Sequence, residues 1–72
     1  MQVVKDDNTS HDVYTLIEDG KIMYTVHCFT DYLDKSKVID TIVYNKYDEL
    51  VESRTIILYV LNLINTFNTT DS

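Results

Sequence analysis

Hydrophobic and polar residues alternate with a period of two on both sides of a single Asp-Gly pair. Val13-Tyr14-Thr15-Leu16-Ile17-Glu18 leads into Asp19-Gly20, and Lys21-Ile22-Met23-Tyr24-Thr25-Val26-His27 leads away from it. Alternation of this kind predicts two half-buried strands. Asp-Gly predicts a two-residue type I′ turn between them, because Gly accepts positive φ without a steric penalty. A two-residue loop sets the register: Glu18 faces Lys21, Ile17 faces Ile22, Thr15 faces Tyr24 and Val13 faces Val26. Val13, Thr15, Ile17, Ile22, Tyr24 and Val26 then form the core face. Tyr14, Leu16, Met23 and Thr25 form the other, with the pairs Asp12–His27 and Glu18–Lys21 at its ends. Opposite charges across a ladder add ~0.2–1 kcal/mol each to such a register.

Beyond the hairpin the pattern changes twice. Residues 29–36 read as a loop or one irregular turn. In Lys37-Val-Ile-Asp-Thr-Ile-Val-Tyr44 the apolar spacing also fits a helix face, but β-branched residues dominate, and they favour a third strand. Asn45 is a suitable N-cap for a helix from Lys46 to about Phe67, with Asp48, Glu49 and Glu52 near its positive end. Such a helix of about 22 residues would be ~33 Å long. The helical stripe runs Tyr47, Leu50, Val51, Arg54, Ile57, Leu58, Leu61 and Ile64 or Asn65. Ile56, Val60, Leu63 and Phe67 make a second stripe beside it. A helix apolar around most of its circumference is covered on more than one side. The second stripe is therefore expected at an oligomer interface, unless the N-terminal segment or the 29–36 loop folds over it. The expected fold is α+β: an N-terminal antiparallel β-hairpin, a third strand and a long C-terminal helix, with a hairpin plus two helices as the alternative. Residues 1–10 and 68–72 are polar and aperiodic and read as disordered tails around one domain at 11–67.

Charge narrows the choice of partner. Twelve Asp and Glu against six Lys and Arg give 72 residues a net charge of −6. That balance opposes direct binding to nucleic acid or to an anionic membrane, and favours a basic protein surface, such as one that itself handles nucleic acid. The longest apolar run, Ile56 to Leu61, is far short of the ~20 residues that span a bilayer. A single Cys cannot close an internal disulfide, so the chain reads as an intracellular, cytoplasmic protein. A core of this size leaves only ~3–5 kcal/mol of net stability, which makes a homodimer an attractive way to bury more surface.

The inventory holds little chemistry. His27 and Cys28 are adjacent, so a strand points them to opposite faces and they cannot act as a base–nucleophile pair. His11 could come opposite Cys28, which makes two metal ligands where a structural zinc needs four. No catalytic residue, metal or cofactor is expected. The expected contacts are carboxylates and aromatic side chains: Asp31, Asp34, Asp40, Asp48, Glu49 and Glu52 as an acidic strip imitating a phosphate backbone, with Tyr32 and Tyr44 beside it. Tyr combines a large contact area with a polar tip and suits interfaces, although AT-rich coding also enriches it.

The segment from Asp12-Val13-Tyr14 through Asp19-Gly20-Lys21 to Tyr24 and His27 resembles the hairpin of the phage uracil-DNA glycosylase inhibitor family. The likeness covers about seventeen residues and ends after residue 28. In size, acidity and Tyr content the chain is similar to anti-CRISPR proteins. The resemblance implies a phage-encoded inhibitor acting in the cytoplasm of a bacterial host. Its target would be a repair enzyme or a defence protein such as a restriction enzyme or CRISPR effector.

Overall fold

The computed structural model describes residues 1–7, 10–34 and 36–71 of the chain. Asp19 and Gly20 both adopt positive φ, 53° and 74°, as a type I′ turn requires. The turn joins β2 (Asp12–Glu18) to β3 (Lys21–Thr30), and Glu18 pairs with Lys21 and Ile17 with Ile22 as expected.

The expected register ends there. Leu16 pairs with Tyr24, Thr15 with Thr25, Tyr14 with Val26 and Asp12 with Cys28, leaving Met23 as the extra residue of a β-bulge. A one-residue slip moves every later side chain to the opposite face. Tyr14, Leu16, Val26 and Cys28 are therefore buried in the core, while Val13, Thr15 and Ile17 lie on the far side. The bulge gives Leu16 and Val26, both closed to solvent, the central positions under the helix.

Two more strands flank the hairpin. β1 (Gln2–Asp7) and β4 (Val38–Asn45) complete an antiparallel meander in the order β1-β2-β3-β4. The strand expected at 37–44 is therefore present as the fourth. The N-terminal segment is not a tail: residues 2–7 pair with β2 from Gln2↔Ile17 to Asp7↔Asp12. Its local pattern is weak, but the free edge of β2 supplies hydrogen-bonding partners and Val3 reaches the core.

The helix starts later and ends later than the pattern predicts. α1 spans Arg54–Asp71. Asn45 does accept amide hydrogen bonds, but they close a turn: its Oδ1 accepts from Tyr47 N at 2.8 Å and from Glu49 N at 3.0 Å. Asp48 has a φ of 60°, which ends any helical path. The chain then doubles back on β4, where Leu50 bridges Tyr44 and Val51 N donates to Val43 O. Ser53 takes the capping role, with its Oγ 3.5 Å from Ile56 N. Asp48, Glu49 and Glu52 thus precede the helix, whose first turn holds no acidic residue.

α1 lies on one face of the sheet. Val60 and Ile64 close the core over Tyr14, Leu16, Val26, Cys28 and Val43, and Ile56 and Leu63 pack against it. The stripe Ile56–Val60–Leu63–Phe67 is therefore the sheet-facing side. Val60 is 0% exposed within a single copy and cannot form an oligomer interface. The alternative cover is the one realised, because β1 brings Met1 and Val3 beside Leu63 and Phe67. Leu58 and Tyr59 point to solvent instead.

Candidate binding surface

Cross-strand pairing places His27 and Cys28 on opposite faces, as alternation requires. Cys28 is buried beneath α1, and burial, together with the Asp12 carboxylate beside it, pushes its thiol up, with a Thr41 hydrogen bond pulling the other way. A neighbouring acid that keeps the thiol protonated is the reverse of nucleophile activation. A groove of about 430 Å³ between α1 and this end of the sheet is lined by Asp12, Tyr14, Cys28, Thr30, Leu61 and Ile64 among others, and it holds no His. Among the described residues, no three His, Cys, Asp or Glu side chains gather to hold a metal ion. No described helix is long and apolar enough to cross a membrane.

The expected acidic strip divides into two groups at opposite ends of β4. Asp31 and Asp34 belong to the 31–37 loop, with Asp40 near the start of the strand; Asp48, Glu49 and Glu52 follow its end. The eight residues of β4 separate the two loops by about 23 Å at ~3.3 Å per residue. Several of these carboxylates have local structural work. Asp31 Oδ1 accepts from Leu33 N at 2.8 Å and Asp34 N at 3.3 Å. Asp34 Oδ1 accepts from the Ser36 hydroxyl at 2.5 Å and the Ser36 amide at 3.1 Å, which holds its carboxyl below the usual carboxylate value. Asp40 Oδ1 accepts from Thr41 N at 2.9 Å, and Glu49 Oε1 from Asn45 Nδ2 at 3.2 Å. The carboxylates of Asp48 and Glu52 are exposed and accept no hydrogen bond among the described residues.

These bonds tie Asp31, Leu33, Asp34 and Ser36 to one another. Asp31 N donates to Lys37 O and Lys37 N to Asp34 O, closing the base of the loop. At its tip Tyr32 is 93% exposed and Leu33 89% exposed. The expected partner-binding Tyr32 is thus held out in water between two aspartates, with Leu33 as an unexpected apolar companion. Tyr44 is elsewhere, on the sheet face away from α1, its ring edge-on to His27 at 5.6 Å.

That second face is the surface that sequence reasoning missed. It carries Val13, Ile17, His27, Phe29, Ile42 and Tyr44, all half-buried, and no described segment crosses it as α1 crosses the other face. His11 Nε2 lies 2.8 Å from His27 Nδ1, and the His11 ring stacks on Phe29 at 4.4 Å. The available signal was Met23, the residue whose bulge reassigns the two faces. Compared with known proteins, the chain matches no family model, no curated protein and no solved structure.

Proposed function

We propose that the chain acts by stoichiometric binding, occupying a basic, nucleic-acid-handling surface of another protein and excluding nucleic acid from it. The observation that carries this reading is the set of exposed carboxylates at the two ends of β4. Asp40, Asp48, Glu49 and Glu52 form no ion pair among the described residues. Two unneutralised acidic groups on a chain of net charge −6 steer toward cationic surfaces. Tyr32 and Leu33, presented beside Asp31 and Asp34, supply the apolar anchor that charge alone lacks. Similarity in size and acidity to phage inhibitors favours a bacterial cytoplasmic target, such as a CRISPR effector, a restriction enzyme or a DNA-repair enzyme.

The test begins with capture of the partner from bacterial lysate, followed by affinity measurement at several salt concentrations with DNA as competitor. Charge mimicry predicts affinity that falls steeply with salt, competition by DNA, and loss of binding in the D40K/E52K variant. Salt-independent affinity, or full binding by D40K/E52K, would overturn it.

A further inference from the structure

We infer that the sheet face opposite α1 is a self-association surface, and that its occupant is the same face of a second copy. An antiparallel sheet with one face in water normally alternates apolar inward and polar outward. Here the outward side chains include Val13, Ile17, Phe29, Ile42 and Tyr44, so both faces have core character.

Charge selects the occupant. The chain has a net charge of −6, yet this face has ionised side chains only toward one end, Asp6 in β1 and Asp40 at the start of β4, on its two edge strands. A cationic partner drawn by the acidic loops would find nothing to pair with across the middle of the face. A second copy would meet a surface with a matching uncharged middle, and the acidic residues beyond the two ends of β4 would stay at the rim, away from the apolar centre. The dimensions suit such a contact. Four strands at ~4.8 Å and about seven residues at ~3.3 Å give a plane of roughly 19 by 23 Å. Two such planes amount to roughly 870 Å² in total, close to the ~1,000 Å² that a specific interface needs. Two sheets packed in this way, with strand directions within about 30°, form a β-sandwich with helices on its outer sides.

Sedimentation of the full chain from micromolar to millimolar concentration tests the inference, together with T25E, I22E and L58E. Thr25 lies at the middle of the face. Ile22 is on the same face and 53% exposed, so a carboxylate there stays in water in a single copy. Leu58 is 62% exposed on the outer side of α1. The wild type and L58E are expected to dimerise. T25E and I22E should dissociate on the order of a hundredfold more readily, with unchanged circular dichroism, because like charges meet in the contact. A wild type that stays monomeric at millimolar concentration overturns the inference, as does a dimer weakened by L58E and indifferent to I22E. Self-association through the apolar middle of this face does not weaken as salt rises, because screening relieves the repulsion between two chains of net charge −6. Its failure is therefore distinguishable from failure of the charge-steered binding proposed above.

Discussion

The imidazoles of His11 and His27 face each other across the sheet end, with His11 Nε2 2.8 Å from His27 Nδ1. One nitrogen donates and the other accepts. Ser10 Oγ, 2.7 Å from His11 Nδ1, can complement either arrangement because a hydroxyl both donates and accepts. A double-mutant cycle with His11→Ala and His27→Ala is expected to show a coupling of about 1 kcal/mol in chemical denaturation. A coupling indistinguishable from zero would mean that the contact contributes nothing in solution.

The position of Val60 leads to a sharper expectation. Val60→Ala leaves a cavity in the core and should cost about 2 kcal/mol, a large share of the stability of so small a domain. Leu58→Ala, two residues away on the exposed side, should change stability by less than about 0.5 kcal/mol. Denaturant midpoints of the two variants measure the difference, and equal midpoints would contradict the assigned helix orientation.

Removal of residues 1–7 should expose Leu63 and Phe67 and free the edge of β2. The expected result is a chain that unfolds at lower denaturant concentration and aggregates. A truncated protein with the parent midpoint would show that β1 is dispensable.

Cys28 gives stability a dependence on alkaline pH. Burial raises its folded-state pKa above the ordinary 9.0, so the folded state holds the thiol proton more tightly than the unfolded chain does. Its contribution is complete below 9.0 and is lost as pH rises through the higher folded value. Unfolding midpoints should therefore fall above pH 9.0, and Cys28→Ala should remove that part of the slope.

The 31–37 loop should respond to acid. Ser36 holds the Asp34 carboxyl below its ordinary 3.8, so the support that Asp34 gives is present above that pH and fades as pH falls through the lower folded value. The protection of the Ser36 and Lys37 amides, taken relative to their intrinsic exchange rates, should fall there while the sheet stays protected. In Asp34→Asn that pH dependence should disappear.

The local signals were sufficient for the turn, the β4 strand and a C-terminal helix. Asp19-Gly20 specifies its turn through backbone sterics, and β-branched residues at 38–43 favour a strand whatever packs on them. The candidate residues were readable only as exposed types. Asp40, Asp48 and Glu52 are on the surface, but the use of Asp31 and Asp34 to shape a loop depends on which amides lie within reach. The start of the helix was misread because Asn45 suits a cap and a turn equally. The turn prevails because Leu50 and Val51 then gain partners on β4.

Which face of the sheet is inside was a tertiary decision. The alternation of Val13 to Ile17 is almost equally apolar in both phases, so the pattern alone cannot choose between them. A bulge at Met23 chooses, because it sets Tyr14, Leu16, Val26 and Cys28 beneath Val60 and Ile64. The N-terminal strand has the same origin. Residues 2–7 have little intrinsic preference, but an open strand edge and the uncovered side of α1 both need partners. Near-neighbour sterics and propensity determine turns and element types from the residues themselves. Register, facing and cover depend on groups distant in sequence that must satisfy one another at once, and these only the folded whole resolves.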